Sequence, residues 1–164
     1  MISVGVITAS DKGSRGERED RSGQVIAEQV KTIGGQVVTY KIVPDERAIL
    51  AETMRKMADD EKVDLILTTG GTGFSPRDVT PEATLDVIER LVPGIAEAMR
   101  AQSMKITNRA MLTRGVAGLR GKSLLINLPG SPKAVAECLA VIMPALPHGL
   151  AILKEEASEC ARPE

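Results

Sequence analysis

Between Val63 and Glu82 the chain passes from an unbroken apolar stretch straight into glycines and threonines, and this junction constrains the fold more than any other segment. Leu65, Ile66 and Leu67 show no alternation of apolar and polar residues, the pattern of a strand covered on both faces in a parallel sheet. The loop after such a strand sits at the sheet's carboxyl edge, where open α/β folds bind ligands. Gly70, Gly71 and Gly73 permit positive φ and close backbone approach, while Thr68, Thr69 and Thr72 set hydroxyls among backbone N–H groups. A plain strand-to-helix turn is the competing reading, but three glycines and three threonines in six positions exceed what a turn needs. The combination favours a phosphate-bearing ligand. The common nucleotide motifs do not fit: no lysine follows these glycines as in a Walker A loop, and Pro76 stands where a dinucleotide fingerprint begun at Gly71 needs its third glycine.

The flanking segments alternate between strand and helix patterns. Ile2–Thr8 reads as a first strand, followed by a polar loop from Ser10 to Asp20. Val25, Ile26, Val30 and Ile33 recur at helical spacing until Gly34-Gly35 stops them, and Gln36–Val43 makes a second strand. Pro44-Asp45 opens another helix with Ile49, Leu50, Thr53, Met54 and Met57 inward, and Val63–Leu67 is the third strand. This β-α-β-α-β order predicts right-handed crossovers and helices on both faces of the sheet. Beyond the glycine loop, Thr80 is an N-cap candidate with Pro81 at the first helical position and Leu85, Ile88 and Leu91 inward. A helix is expected over Pro93–Met104. Val116 and Leu119, the turn-like Arg120-Gly121-Lys122, and Leu124–Leu128 read as a hairpin, which makes one strand near the sheet's edge antiparallel. Ser131 caps a helix with Pro132 first and Val135, Leu139 and Ile142 inward, and Leu146–Lys154 is the last helix. The expected fold is an α/β three-layer sandwich with a mainly parallel sheet and one antiparallel edge strand. Residues 1–154 form one domain in this reading, and 155–164 a C-terminal tail.

Composition removes several classes of function. Tyr40 and Phe74 are the only aromatics, so the core is aliphatic and stacking on rings is not available for single-stranded nucleic acid. Twenty-one Lys and Arg against 22 Asp and Glu leave a net charge of −1, without the positive field that nucleic-acid binding requires. Cys138 and Cys160 are too few and too far apart for a metal motif, and Cys138 falls in an apolar helical pattern as a buried small hydrophobe. The longest apolar run, Cys138 to Met143, ends at Pro144 and is shorter than the ~18 residues a membrane span needs. The N-terminus opens on a strand pattern with no signal-like segment, which makes cytoplasmic residence the default expectation.

Leu65-Ile66-Leu67-Thr68-Thr69-Gly70-Gly71-Thr72-Gly73-Phe74-Ser75-Pro76-Arg77-Asp78 resembles the signature of the MogA/MoaB family of molybdenum-cofactor biosynthesis proteins. Ser10-Asp11, Pro44-Asp45-Glu46, Asp78-Val79-Thr80-Pro81-Glu82-Ala83-Thr84 and Asn127-Leu128-Pro129-Gly130-Ser131-Pro132-Lys133 look like further family motifs in family order, covering roughly Ile2 to Leu153. The resemblance implies a MogA-like fold and a molybdopterin adenylyltransferase: the terminal phosphate of molybdopterin attacks the α-phosphorus of ATP, giving adenylylated molybdopterin and pyrophosphate. It also implies a homotrimer and transfer of the product to a molybdenum-inserting protein. It marks Asp45 and Asp78 as catalytic. It carries substrate binding over to Ser10, Asp11, Thr69, Gly70, Gly71, Thr72, Gly73, Ser75, Asn127, Pro129, Gly130, Ser131 and Lys133. The other reading in the same pathway is a carrier that binds molybdopterin or nucleotide without chemistry.

The residues themselves bear on this choice. A carboxylate five residues beyond an anion loop repels the ligand that the loop attracts, at a cost on the order of several kcal/mol in a partly dry site, and a divalent cation between them reverses the sign. Asp78 and Asp45 therefore suit Mg2+, which takes one or two carboxylates together with phosphate oxygens. Each also has an ordinary structural reading, Asp78 as a helix-start residue and Asp45 as an N-cap. Gly130-Ser131 serves equally as helix cap or phosphate site by sequence alone, and Lys133 one turn in is a candidate countercharge. His148, the only histidine, lies between helical segments and reads as structural. Phe74 reads as packing. Arg77 fits phosphate or solvent. A phosphate monoester is mostly ionised at neutral pH, so the reaction needs no general base.

Overall fold

The computed structural model describes residues 1–157, and most of the expected tail, with Cys160, lies outside the described residues. In chain order its elements are β1 (Ile2–Ala9), α1 (Asp11–Ser14), α2 (Arg21–Gln29), β2 (Gly35–Val43), α3 (Arg47–Arg55), β3 (Leu65–Thr69), α4 (Thr80–Leu85), β4 (Arg90–Leu91), α5 (Pro93–Met104), β5 (Ala117–Arg120), β6 (Ser123–Leu128), α6 (Pro132–Ile142) and α7 (Leu146–Leu153). The sheet order is β2-β1-β3-β6-β5-β4. Strands β2, β1, β3 and β6 are parallel, and β5 runs antiparallel between β6 and β4. The mainly parallel α/β sandwich is as expected. The antiparallel strand lies one position in from the edge because the two residues of β4 add beyond it.

Period-two alternation sorts the central strands between two cores. Val4, Val6, Leu65, Leu67, Ile126 and Leu128 point to the face covered by α2, α5, α6 and α7, while Ile7, Ile66 and Leu125 point to the face covered by α3 and α4. In register, Val4 lies beside Leu65 and Leu65 beside Leu124, so all four parallel strands end together at their carboxyl edge. Buried Leu, Ile, Val and Met fill both layers, with the partly buried Tyr40 packed against the first. Cys138 is buried, as its helical pattern predicts.

Several helix boundaries and faces depart from the sequence pattern. The Ser10–Asp20 loop contains the single turn α1, capped by Ser10 Oγ accepting from Gly13 N at 2.9 Å. Helix α3 starts at Arg47 with Glu46 as N-cap, so Asp45 is not a cap, and Ile49 is 43% exposed while Leu50, Ala51 and Met54 are buried. Past Arg55 the backbone widens into a π turn, Lys56–Asp60, that keeps Met57 and Ala58 inside. Helix α4 buries Thr80, Ala83 and Thr84, with Leu85 and Leu91 exposed and Ile88 only partly covered. The chain leaves the helix after Leu85 to reach β4, so the 3.6-residue spacing does not extend to Leu91. Val79, not Thr80, is the residue before that helix.

Helices α6 and α7 with the short turn between them make a 22-residue stretch, Pro132–Leu153, that contains an 18-residue window of mean hydropathy 1.7, by length and composition enough to cross a membrane. No single apolar run spans it, because Glu137, Pro144, Pro147 and His148 interrupt the sequence. Here Val135, Leu139, Ile142, Leu146 and Leu150 are buried against the sheet as part of the core, which accounts for part of the hydrophobicity, with 39% of the window buried.

Candidate active site

The carboxyl ends of β1, β3 and β6 open into a cleft of about 750 Å³. Each strand supplies one wall: Ser10 and Asp11 after β1, Thr69, Gly70 and Gly71 after β3, and Gly130 and Ser131 after β6, with Asp45 and Asp78 from the loops that precede α3 and α4. Lys12, Arg18, Glu19, Asp20, Arg21 and Ser22 also line it.

Glycine is required at the turn out of β3. Gly70 has φ +89° and Gly71 φ +69°, and a side chain on Gly70 would put Cβ 2.5 Å from the carbonyl oxygen of Ala9. The bare loop lets the acidic residues fold close around it. Asp11 N donates to Asp45 Oδ2 at 3.0 Å and Asp45 N donates to Asp11 Oδ1 at 3.0 Å, a reciprocal clasp between the ends of two strands. Asp78 Oδ2 accepts from Ser75 N at 2.9 Å and turns back over Gly73, where a Cβ would meet it at 2.9 Å. Arg77 settles on protein, forking onto Asp11 at 3.0 and 2.9 Å and reaching Glu46 at 2.9 Å.

The charge environment divides the two clasped carboxyls. Arg77's hydrogen bond, with that of the Asp45 amide, holds Asp11 below the usual aspartate range. Burial pushes the Asp45 carboxyl up, and the nearby charges of Asp11 and Asp78 push it further, against the Asp11 amide and Arg77. Among the described residues no group of three or more His, Cys, Asp and Glu side chains is placed to enclose a metal. Asp45 and Asp78 each spend Oδ2 on a backbone amide and leave Oδ1 free. Two carboxylates with one available oxygen each fit Mg2+, which keeps waters and phosphate oxygens in its shell, and do not fit an all-protein cage.

Other predicted site residues stand behind the cleft. Asn127 is 2% exposed and fully engaged: Oδ1 accepts from Val116 N at 3.1 Å, and Nδ2 donates to Thr68 Oγ1 and Thr84 Oγ1, both at 2.9 Å. Pro129 gives its carbonyl to Thr69 Oγ1 at 2.6 Å. Thr72 is buried, with its carbonyl accepting from Arg114 N. Gly73, Ser75 and Lys133 lie outside the lining, and Lys133 and Ser75 are exposed. Ser131 both caps α6, accepting from Ala134 N at 3.2 Å, and faces the cleft. His148 is exposed on α7 and Phe74 is 71% exposed, neither of them in the cleft.

Sequence reasoning missed three groups. Asp20 accepts from Thr8 Oγ1 at 2.6 Å, from the Tyr40 hydroxyl and from Gly23 N at 3.0 Å, and burial together with this carboxylate pushes the Tyr40 hydroxyl up. Ser22 Oγ donates to Gly130 O at 2.6 Å and ties α2 to the loop after β6. Arg114 holds the glycine loop from behind: Nε donates to Gly73 O and Nη2 to Asp78 O, each at 2.7 Å, and Nη1 pairs with Glu82. An aspartate just before a helical pattern is a readable N-cap signal at Asp20. Nothing local marks Ser22 or Arg114.

A parallel α/β sheet whose carboxyl edge carries a glycine cradle, a helix start and paired carboxylates defines a phosphate-handling class of site. Residues 5–148 match the family model described as a probable molybdopterin binding domain, and the chain belongs to the MogA/MoaB family. It is 46% identical over 149 residues to a molybdopterin adenylyltransferase of Helicobacter pylori strain J99, covering 90% of this chain and 85% of that one. It is 38% identical over 141 residues to a molybdopterin adenylyltransferase of Escherichia coli K12, covering 84% and 72%. The structure superposes on the molybdopterin biosynthesis enzyme MoaB of Thermus thermophilus with a TM-score of 0.90 at 48% identity, covering 94% and 98%.

Proposed function

We propose that this chain is a molybdopterin adenylyltransferase of molybdenum cofactor biosynthesis, transferring AMP from MgATP to the terminal phosphate of molybdopterin. The observation that carries the reading is the convergence of Asp45 and Asp78 on a glycine cradle, each with one carboxylate oxygen free. A carrier needs the cradle and has no use for the carboxylates.

In this reading a molybdopterin phosphate oxygen forms the new bond to the α-phosphorus of ATP, the α–β anhydride bond breaks, and pyrophosphate leaves with the electron pair. The attacking phosphate is already mostly ionised at neutral pH, so no residue takes a proton from it. The protein's task is to bring two polyanions into line. Gly70 and Gly71 offer backbone N–H groups to one phosphate, and Gly130-Ser131 at the start of α6 offers them to another. Thr69 and Ser22 hold that second loop in place through Pro129 O and Gly130 O. Lys12 and Arg18 line the cleft and have no ion-pair partner among the described residues, which suits them to the polyphosphate. Mg2+, held by Asp45 and Asp78, supplies positive charge against the phosphates. Residues 1–154 act as one domain, in a cytoplasmic homotrimer that passes its product to a molybdenum-inserting partner.

Purified protein mixed with molybdopterin and ATP, with and without Mg2+, tests the reading by pyrophosphate release. Metal-dependent release is expected. Binding of both substrates with no pyrophosphate leaves the carrier reading in its place.

A further inference from the structure

Asp45 and Asp78 reach the cleft from separate loops, one between β2 and α3 and the other between β3 and α4. To share one cation they must keep a set separation. Each is anchored on its own side: Asp45 clasps Asp11 through two amide bonds, and the Asp78 carbonyl accepts from Arg114 Nη2. Among the described residues, the hydrogen bonds that join the loop of residues 70–79 to Asp11, Asp45 or Glu46 all come from the Arg77 side chain. Its Nε and Nη2 fork onto the two carboxylate oxygens of Asp11 at 3.0 and 2.9 Å, and Nη2 also reaches Glu46 Oε1 at 2.9 Å. Arg77 adjoins Asp78 in the chain, Glu46 adjoins Asp45, and Asp11 is bonded to Asp45. One guanidinium thus bridges the immediate neighbours of both carboxylates.

Two observations say what this bridge is for. Arg77 does not line the cleft, where Lys12, Arg18 and Arg21 are the cations that do, so its charge is spent on protein carboxylates. Its side chain is 53% exposed, and an exposed ion pair adds little to stability. What a bidentate fork adds beyond attraction is a fixed direction.

We propose that Arg77 is a positioning residue that sets the separation of Asp45 and Asp78: its fork onto Asp11, with the bond to Glu46, holds the loop that carries Asp78 against the Asp11–Asp45 clasp. Small misplacements of groups that meet a reacting phosphate are costly in rate, which is why an exposed pair can matter here. The inference rests on the reading of Asp45 and Asp78 as the metal pair.

Arg77→Lys keeps the positive charge and loses the fork. The pair Arg77→Gln/Asp11→Asn removes the fork without changing net charge, and an amide oxygen at position 11 still accepts from Asp45 N. Both are expected to melt close to the parent's temperature and to bind ATP in chelator as the parent does. Calorimetry is expected to show that each loses most of the gain in ATP affinity that Mg2+ gives the parent. Each is expected to lose about ten-fold in kcat for pyrophosphate release and to need about ten-fold more Mg2+ for half-maximal rate. Arg77→Lys is expected to cause no further loss of the metal-dependent gain once Asp78→Asn is present. Parental Mg2+ gain and kcat in both fork variants, with Asp78→Asn inactive, overturn the inference and leave the role of Asp78 standing. Weakened ATP binding by Arg77→Lys in chelator, to the same extent as with Mg2+, means that Arg77 touches the phosphates directly and also overturns it. A parental Mg2+ gain in Asp78→Asn overturns the metal pair and the inference with it.

Discussion

Asp11 and Asp45 grip each other through reciprocal 3.0 Å amide-to-carboxylate hydrogen bonds, yet their acidities move in opposite directions. Arg77 lowers Asp11, whereas burial and the charges of Asp11 and Asp78 raise Asp45. The fold tolerates an ionised Asp45 at neutral pH at some expense in stability, as expected where charge is arranged for a ligand.

The sign of the pH dependence follows. A carboxyl raised in the folded state contributes most below its ordinary value of 3.8, and that contribution is lost as pH rises through the folded value. Asp11, lowered by Arg77, contributes above 3.8 and loses its contribution as pH falls. At pH 7 without divalent cations, Asp45→Asn is therefore expected to raise the melting temperature by a few degrees, with the gain disappearing near pH 3.5. Thermal scans in chelator across that range check it, and a variant less stable than the parent at pH 7 contradicts the electrostatic account. The same change is expected to lower adenylyl transfer at least a hundred-fold.

The glycine cradle gives a contrast between strain and collision. Gly16 has φ +73° with open space around it, while Gly70 has φ +89° and faces Ala9 O. Gly16→Ala is expected to cost about 1 kcal/mol, the left-handed penalty alone. Gly70→Ala adds a backbone clash, and about 2–4 kcal/mol of destabilisation is expected together with loss of turnover. Urea midpoints of the two variants decide whether the close approach at Gly70 matters beyond its dihedral angle.

Arg114 supplies a third test. Replacing it with methionine leaves the carbonyls of Gly73 and Asp78 without their side-chain donor and removes the partner of Glu82, whose Oε2 already has none among the described residues. Both side chains are about one-third exposed, which screens the charge pair, so about 1–3 kcal/mol of destabilisation is expected. Arg114→Lys keeps the charge and loses the fork, and is expected to recover less than half of the stability. Chemical denaturation measures both, and a lysine variant equal to the parent shows that charge alone suffices.

Much of this architecture was legible because it is local. Pro93–Met104 carries its own proline start, and Ser131-Pro132 announces α6, so both helices begin where their first residues indicate. The apolar run of β3 is itself enough to place the glycine cradle at the sheet edge. The misread parts are those decided by distant partners. Leu85 and Leu91 continue a helical stripe that the chain abandons to pair Arg90 with Leu119. The partners of the Asn127 side chain, Thr68 and Thr84, are likewise distant in sequence, and its motif gives no sign of them. Ser22 reaches Gly130 across 108 positions, a distance at which periodicity carries no information.

Divalent cation is expected to govern the nucleotide and not the fold. Asp45, Asp78 and Asp11 gather acidic charge beside backbone amides suited to an anion, and two like charges a few ångströms apart repel by about 4 kcal/mol at an effective dielectric constant of about 20. Without a cation, ATP meets that repulsion directly, and chelator is expected to weaken its binding at least ten-fold while leaving the melting temperature of the free protein unchanged. Asp78→Asn removes one negative charge and keeps an oxygen to accept from Ser75 N, so the loop persists. It is expected to bind molybdopterin as the parent does, to bind ATP in chelator more tightly than the parent, and to transfer AMP at least a hundred-fold more slowly. Titration calorimetry with and without Mg2+ separates these effects. ATP affinity that is the same in chelator for parent and Asp78→Asn means that the carboxylate does not face the bound phosphates, and its metal-binding role then fails.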